Sequence, residues 1–453
     1  MTKRACVVGG GFSGLAAAER LLDAGWAVTL LEARERVGGR AYTERPLPDL
    51  WLDYGGQWLG PGQELMYDLT RRLGVRTWPM YAQGKNILVN DRGSCAYDGL
   101  YPKGISLAAL ANLGAAVAAF DALAFTLVAD DPWRTPGAAH LDRRSLESWM
   151  QATLRCEDAY TLFGVLIRTV FAEEPARISL LHALFYARSS GGGLDRLARG
   201  PGGAQQDRVD GGMGTLAATW ADHLRARGLH IERGVAVREV AQDASGVVVR
   251  SEGGRWSADA LVCAIPPVLA AEIVWSPSLP PRKLSWWRSC PPGAVVKCFA
   301  IYDKPFWRDA GLSGAAVSLR GPVHTAFDAT PPDVPYGVLL GFVEADEARR
   351  WEQRPQHERE ALALLCFSRA FGPGALHPRL YVDHGWEEET WSRGCYTGVC
   401  RPGAWTDAGE DARAPLGRIA FAGTEHARRW NGYLEGAMSA GQAAAAAVIE
   451  RPT

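Results

Sequence analysis

The chain has 453 residues, of which 47% are hydrophobic, with 49 lysines and arginines against 50 aspartates and glutamates. A chain of this length can bury a large core and hold two or three domain-sized units. A formal net charge of -1 gives no positive surface potential that would attract nucleic acid, so we do not expect a nucleic-acid partner.

The first forty residues predict a dinucleotide site. They run in the order apolar strand (residues 5–8), Gly9-x-Gly11-x-x-Gly14, helix (15–24), second strand (27–31) and acid, Glu32. The first glycine allows a tight turn, the second lets the backbone approach a pyrophosphate, and the third lets the helix pack on the strands. The N–H groups at the helix start favour phosphate, and Glu32 can accept hydrogen bonds from ribose hydroxyls. The alternative is an ordinary glycine-rich turn.

Beyond residue 40 the pattern alternates between α/β and helical segments. We expect a short strand entering a glycine turn (52–58), a helix (64–73), a mostly helical region (76–208), a helix (215–227), strands (229–232, 235–241, 246–251 and 260–265), two strands of a second sheet (295–302 and 337–344), a helix (356–370), a strand entering another glycine turn (418–425) and a final helix (434–449). This order predicts one discontinuous α/β domain with a mixed domain inserted twice.

The most apolar stretch covers residues 105–128. Asn112 and Asp121 interrupt it, and no aromatic or basic residues flank it as they flank membrane spans. We therefore expect a buried or cleft-lining helix, with a membrane span as the alternative. Lys3 and Arg4 before the first apolar run faintly imitate a signal peptide, but that run is needed as a core strand, so we do not expect secretion.

The cysteines predict neither a disulfide framework nor a zinc cluster. Nine are scattered along the chain, an odd number, and none form a CxxC pair. This usage fits a reducing cytoplasm. No cluster of histidines, cysteines or carboxylates has metal-ligand spacing, so we expect no metal.

Lys297 is an unusual residue in a predicted strand. Alternate strand residues share a face, so Lys297 points the same way as Val295, Phe299 and Ile301. A lysine on an apolar face is costly if it is buried without a partner. Either this is an edge strand with a wet face, or the lysine has a functional role.

Eight segments, in order along nearly the whole chain, resemble the flavin-dependent monoamine oxidase family. They are VVGGGFSGLAAAERL, LLEARERVGGRAYT, LDYGGQWLGP, VDGGMG, ALVCAIPP, VVKCFAIYDKPFW, WSRGCYTGVCRPG and IAFAGTEHARRWNGYLEGAMSAG. The resemblance implies an α/β fold, with a discontinuous Rossmann-like FAD-binding domain (residues 1–75, 209–285 and 385–453). It implies an inserted α+β substrate-binding domain (residues 76–208 and 286–384).

The resemblance also implies a set of FAD-binding residues. They are Gly9, Gly11, Ser13, Gly14, Glu32, Ala33, Arg34, Gly39, Arg40, Gly55, Gly56, Gln57, Trp58, Val235, Trp386, Cys395, Gly423, Thr424, Glu425, Gly432, Tyr433 and Leu434. Arg40 has a planar guanidinium suited to a phosphate oxygen. Cys395, directly before a tyrosine, resembles the cysteine that carries FAD through a thioether in the mammalian-type oxidases. A free buried cysteine is the alternative.

Three residues resemble the family's reaction centre: Lys297, Tyr396 and Tyr433. The lysine would hold a water at the flavin N5 and assist reoxidation by O2, without being the base that takes the substrate proton. The two tyrosine rings would flank the amine nitrogen. Ring faces attract a cation on entry, yet they solvate a full charge poorly, which favours deprotonation to the reactive neutral amine.

The resemblance is weaker in the substrate cavity, where the candidates are Thr169, Leu197, Gln206, Thr325 and Phe342. Diamine-preferring relatives carry an acid at the position of Thr325, which weighs against putrescine and polyamines. No arginine is evidently placed to bind a substrate carboxylate, although the direction of Arg168 was left open by the sequence.

The expected function is therefore a cytoplasmic FAD-dependent amine oxidase. It would convert a primary or secondary, aromatic or otherwise apolar monoamine to an imine, which hydrolyses to an aldehyde, and O2 would become H2O2. Its partners would be the amine and O2, without a membrane anchor; a homodimer is allowed. The alternatives are a polyamine or L-amino-acid oxidase, a FAD-dependent desaturase and a non-catalytic FAD-binding protein.

Overall fold

The computed structural model describes residues 2–99 and 102–450; the remaining residues of the predicted domain ranges (1, 100, 101 and 451–453) lie outside the described part. The strands are β1 (Arg4–Val8), β2 (Ala27–Leu31), β3 (Thr43–Leu47), β4 (Leu50–Asp53), β5 (Trp58–Leu59), β6 (Thr77–Pro79), β7 (Lys85–Asn90), β8 (Gly93–Tyr97), β9 (Asp207–Val209), β10 (His230–Glu232), β11 (Val237–Gln242), β12 (Val247–Ser251), β13 (Gly254–Ala258), β14 (Ala260–Cys263), β15 (Val274–Ser276), β16 (Val295–Tyr302), β17 (Leu312–Ser318), β18 (Thr325–Asp328), β19 (Gly337–Glu344), β20 (Leu380–Gly385) and β21 (Ile419–Phe421).

The helices are α1 (Phe12–Asp23), α2 (Glu64–Arg72), α3 (Leu107–Phe125), α4 (Ala138–Arg143), α5 (Leu146–Thr153), α6 (Glu157–Phe171), α7 (Leu180–Ser189), α8 (Gly193–Ala198), α9 (Met213–Ala226), α10 (Pro267–Ala270), α11 (Pro281–Ser289), α12 (Phe306–Asp309), α13 (Ala345–Glu352), α14 (Gln356–Phe371), α15 (Ala404–Ala408) and α16 (Leu434–Ile449). The predicted bounds of β2, β16, β19 and α16 agree with the structure.

A parallel sheet of order β10-β2-β1-β14-β21 lies beneath the N-terminal glycine turn. Both faces of a parallel sheet are covered, so its central strands are continuous apolar runs. Helix α1 begins directly after Gly11 and packs on β1 and on α16. Gly14 permits this approach, because a Cβ there would lie 1.9 Å from the carbonyl oxygen of Gly9. This is the Rossmann-like architecture that the sequence predicted.

A second, seven-stranded sheet has the order β20-β16-β19-β18-β17-β7-β8. Strand β16 lies between β19 and β20, and its eight residues are buried. The interpretation of this segment as an edge strand with a wet face is therefore wrong. In register across three strands, Lys297 pairs with Phe342, and Phe342 pairs with Thr325. These three side chains consequently point to one face of the sheet.

Three smaller sheets complete the fold: β13-β12-β11-β15, β3-β4 and β5-β9-β6. The prediction of a mostly helical region over residues 76–208 is wrong at its start, where β6, β7 and β8 lie. Strands β7 and β8 form a hairpin closed by Asp91 and Arg92. Both strands begin or end in polar residues and have only a short apolar centre, so the alternating hydrophobic pattern typical of a strand is weak. Strand β13 was also missed, because Gly254 and polar residues dominate it.

Helix α3 differs from its prediction. It is long and apolar enough to cross a membrane by length and composition, yet only 22% of its most apolar window is buried. Ala109, Ala116, Phe120 and Ala124 are buried where it packs on α6, α7 and α8, whereas Leu107 is 85% exposed. The expectation of a buried or cleft-lining helix is wrong, and most of the apolar residues on the outward side of α3 are small alanines.

Cys290 and Cys400 form a disulfide across 110 positions of sequence. The expectation of a chain without disulfides is wrong at this pair. The two segments meet through the antiparallel bridge between Pro292 and Gly398. Cysteine number and spacing carry no information about such a long-range approach. The other seven cysteines are unpaired.

We predict that Gly14→Ala destabilises the protein by about 3 kcal/mol, because the added methyl group collides with backbone rather than with a movable side chain. The measurement is chemical denaturation of the apoprotein. The matched control is Gly114→Ala in α3, where an added Cβ meets nothing within 4 Å. It should stabilise by about 0.5–1 kcal/mol, the helix-propensity gain of alanine over glycine. Equal effects of the two substitutions would contradict the packing role of Gly14.

Candidate active site

One cavity runs from the carboxyl ends of β1, β2, β14 and β21 to the inner face of the seven-stranded sheet. This is where open α/β sheets bind ligands. Its lining contains most of the predicted site residues: Gly9, Gly11, Ser13, Glu32, Ala33, Arg34, Gly39, Arg40, Gly55, Gly56, Gln57, Trp58, Thr169, Leu197, Val235, Lys297, Phe342, Cys395, Tyr396, Gly423, Thr424, Gly432, Tyr433 and Leu434. Five predicted residues are outside the lining: Gly14, Gln206, Thr325, Trp386 and Glu425.

At the N-terminal end of the cavity, Glu32 is bound to the glycine turn. Its carboxylate accepts hydrogen bonds from the backbone N–H of Gly10 at 2.6 Å and of Arg34 at 2.8 Å. A Cβ at Gly11 would meet nothing closer than 3.8 Å, so the floor between the helix start and Gly39 is open. The first N–H groups of a helix lack intrahelical partners. This end therefore fits the pyrophosphate and ribose of a dinucleotide.

An ion pair connects the segment after Gly39 with the turn that follows β21. Arg40 donates through Nη1 to Glu425 at 2.7 Å and through Nη2 to the same carboxylate at 3.2 Å, and Nη1 also donates to the carbonyl of Tyr396 at 2.9 Å. Burial works to raise the pKa of Glu425, but the Arg40 guanidinium outweighs burial and lowers this pKa to about 2. Because both terminal nitrogens of Arg40 already bind these acceptors, its phosphate contact stays a prediction. Glu425 lies behind the lining.

Arg34 is engaged in a similar way. Its Nη2 donates to Glu389 and to the hydroxyl of Ser392, both at 2.9 Å. The side chain therefore joins the segment after β2 to the segment before Cys395. Its contact with the cofactor also stays a prediction.

Lys297 is completely enclosed by acceptors. Its Nζ donates to the carbonyl of Asp53 at 2.8 Å, to the carbonyl of Gly55 at 2.7 Å and to Gln57 Oε1 at 2.6 Å. Only 3% of the residue is exposed. Burial lowers the pKa of Lys297 to about 7, partly opposed by the Asp53 carboxylate. The structure confirms that Lys297 is buried and that it lies on an apolar face of the strand. The role of Lys297 stays a prediction.

A third tyrosine accompanies the two predicted ones. Tyr186 of α7 lines the cavity, and its ring centroid lies 5.7 Å from that of Tyr433. Burial raises the pKa of Tyr186, Tyr396 and Tyr433, so all three hydroxyls stay neutral. The sequence did not indicate Tyr186, because this tyrosine lies in a continuous apolar helix, where it cannot be distinguished from a residue of the hydrophobic core.

The far end of the cavity is largely apolar. Trp58 and Phe342 have ring centroids 5.6 Å apart, and Thr169 and Leu197 line the same cavity. Thr325 is buried beside Phe342 in the sheet, outside the lining. Gln206 is also outside it, because its Nε2 donates to Asp207, and Gln205 lines the cavity instead.

Two further side chains are explained by their contacts. Arg168 pairs with Glu174 at 3.4 Å and is not part of the cavity lining, so it is not positioned to bind a substrate carboxylate. Trp386 is fully buried, and its indole nitrogen donates to the carbonyl of Tyr54 at 2.9 Å. It therefore supports the loop before Gly55 from behind.

Cys395 lies on the lining and is 3% exposed. Burial raises the pKa of its thiol to about 12, although the charges of Arg40 and Lys297 work in the opposite direction. The thiol is thus protonated at neutral pH.

The comparisons agree with this geometry. A family model described as flavin containing amine oxidoreductase matches residues 12–449. The chain is 36% identical over 437 residues to a Dictyostelium discoideum protein named probable flavin-containing monoamine oxidase A. The matched region spans 96% of this chain and 95% of that protein. It is similar to the solved structure of wild-type putrescine oxidase bound to putrescine, with 30% identity, a TM-score of 0.94 and 100% of each chain covered. It is also similar to cyclohexylamine oxidase from Brevibacterium oxydans IH-35A, with 30% identity, a TM-score of 0.93 and 99% of each chain covered.

We predict that Glu425→Gln destabilises the protein on the order of 3 kcal/mol at pH 7, because it leaves the Arg40 charge without its buried partner. Since the pKa of Glu425 falls from 4.5 to about 2 on folding, the pair stabilises the fold above pH 4.5, and this stabilisation is lost as the pH falls toward 2. The difference in denaturation between wild type and variant should therefore shrink at pH 3.

The control for this experiment is Glu389→Gln. Its pair with Arg34 is more exposed, with 25% of the Glu389 side chain accessible. The loss should be below about 1 kcal/mol. A gap between wild type and Glu425→Gln that is unchanged between pH 7 and pH 3 would show that charge is not the source of the effect.

Proposed function

The chain belongs to the flavin-containing amine oxidoreductases, and on that premise we propose that it oxidises a primary or secondary monoamine whose body is aromatic or otherwise apolar. The observation that carries this proposal is the apolar end of the cavity around Trp58 and Phe342. Among the described residues that line the cavity, Lys297 is the charged residue contributed by the seven-stranded sheet. The other charged lining residues lie after β2, on β11 and after α10.

The family's cofactor is FAD, and the described residues fit it. Glu32 and the start of α1 would hold the adenosine and pyrophosphate, and Gly55, Gly56, Lys297, Cys395 and Gly423 would surround the flavin. When bound, the flavin accepts two electrons from the carbon next to the amine nitrogen and passes them to O2, which becomes H2O2. The protein supplies binding, orientation and electrostatics for this chemistry.

The tyrosines prepare the amine. Tyr396 and Tyr433 line the cavity, and the faces of aromatic rings attract an incoming ammonium. Their hydroxyls are neutral and the surroundings are apolar, so the charged amine is disfavoured and the neutral amine accumulates. Trp58, Leu197 and Phe342 exclude water from the apolar body of the substrate. The imine product would be released and hydrolysed to an aldehyde.

The polyamine alternative has one relative in its favour, the putrescine oxidase. In this chain, however, the residue at the expected acidic position is Thr325, and it lies outside the lining. An amino-acid oxidase would need a cation for the carboxylate, and Arg168 points to Glu174 instead. A desaturase has no need of the tyrosine pair. The monoamine proposal therefore has the best support.

We predict that benzylamine and cyclohexylamine reduce the flavin of the holoenzyme at least about tenfold faster than putrescine or phenylalanine. A second ammonium or a carboxylate would lie unpaired against an apolar wall, at a cost of a kcal/mol or more. The measurement is anaerobic stopped-flow bleaching of the flavin, with H2O2 release as the aerobic check. Intact holoenzyme that no amine bleaches would disprove amine oxidation.

We also propose that FAD is attached covalently through Cys395. The thiol is buried on the lining, and the charges of Arg40 and Lys297 partly offset the burial that keeps it protonated, so they would assist formation of the thiolate needed for the bond. Forming the bond from Sγ to the flavin 8α carbon releases the thiol proton, one methyl proton and two electrons, and O2 takes up the electrons.

We predict that acid precipitation of the wild-type protein leaves the yellow colour in the pellet, whereas Cys395→Ser releases it to the supernatant, because only the wild type has a thioether. The control is Cys263→Ser, which removes another buried thiol that is outside the lining, and it should behave as wild type. A yellow wild-type supernatant would contradict covalent attachment.

A further inference from the structure

The ammonium group of Lys297 has no proton left for the cavity. A lysine ammonium carries three N–H donors. All three are accounted for by the carbonyls of Asp53 and Gly55 and by Gln57 Oε1, at 2.6–2.8 Å. In this arrangement Lys297 can reach a ligand through its charge and through the groups that it holds.

The side chain of Gln57 is held in one orientation by this lysine. An amide can be flipped without changing its shape, so its direction must be read from its partners. An ammonium can only bind an acceptor, which places Oε1 toward Lys297 and turns Nε2 away from it. Nε2 has no partner among the described residues, Gln57 is 2% exposed, and Gln57 lines the cavity. A buried N–H donor without a partner is costly, so this position suits a ligand acceptor.

We propose that Gln57 donates a hydrogen bond through Nε2 to the bound flavin, and that it thereby carries the positive charge of Lys297 to the ring. This inference rests on the proposed function, since it assigns a group to the same site. The lysine polarises the amide by binding its oxygen, which strengthens the N–H donor on the other side. Such a donor would stabilise the negative charge of a reduced flavin. Gln57 would then raise the reduction potential of the bound cofactor.

Two substitutions separate this inference from direct action of Lys297. Gln57→Glu keeps an acceptor for the lysine but removes the donor, and Gln57→Met removes both with little change of shape. Both variants should show a lower midpoint potential, by about a tenfold change in the reduction equilibrium, which is ~30 mV for a two-electron couple. The visible absorption bands of the flavin should shift as well.

The matched control is Gln63→Met. Gln63 is also a fully buried glutamine whose amide has no hydrogen-bond partner among the described residues, but it is outside the cavity lining. Its substitution should leave the potential and the spectrum unchanged. If Gln57→Met fails to retain FAD, Gln57→Asn, which draws the amide back by one methylene, must show the same direction of shift.

The measurement is a redox titration of the holoenzyme with a chemical reductant and reference dyes, without amine. A wild-type potential and spectrum in Gln57→Glu would overturn the inference. A drop in Lys297→Met together with no drop in either Gln57 variant would also overturn it, and would show that the lysine acts directly. Because no amine is present, failure of the proposed amine oxidation would appear separately, as the absence of flavin bleaching in the substrate experiment.

Discussion

The Arg40–Glu425 ion pair joins residues 385 positions apart, and the geometry of the cavity depends on it. Arg40 directly follows Gly38 and Gly39, and Glu425 belongs to the turn after β21. The same carboxylate accepts from the backbone of Gly398, and the same guanidinium donates to the carbonyl of Tyr396. One buried pair thus fixes three segments that would otherwise be independent loops. Its two terminal nitrogens and two oxygens are all bound, which is the condition under which burial of charge is tolerated.

The second sheet depends on the first through Lys297. This lysine is carried by a fully buried strand of the seven-stranded sheet, yet all its acceptors come from residues 53–57, at and just after the end of β4. A buried ammonium is costly unless it is well bound, so this loop cannot move away without a large loss. The face that carries Phe342 is therefore held against the turn at residues 53–57.

Local patterns were sufficient to predict the parts of the fold whose cause is local. The apolar runs of β2, β16 and β19, the close packing at Gly14 and the odd position of Lys297 follow from strand alternation and sterics. Tyr186, the direction of Arg168, the choice of Gln205 over Gln206 and the Cys290–Cys400 bond depend on which distant segments meet. No spacing within a single sequence encodes those meetings. The family resemblance supplied the order of the segments, but side-chain direction came only with the structure.

The strand order of the parallel sheet has a consequence for how the protein is made. Strand β1 lies at the centre, between β2 and β14, and β14 in turn pairs with β21, which ends at residue 421. Helix α1 packs on α16, which ends at residue 449. During synthesis the apolar surface around the first strand therefore stays incompletely covered until the segments up to residue 449 have left the ribosome. Contacts of such long sequence separation make folding slow and leave the nascent chain exposed to aggregation. Helix α16 therefore completes the packing of helix α1.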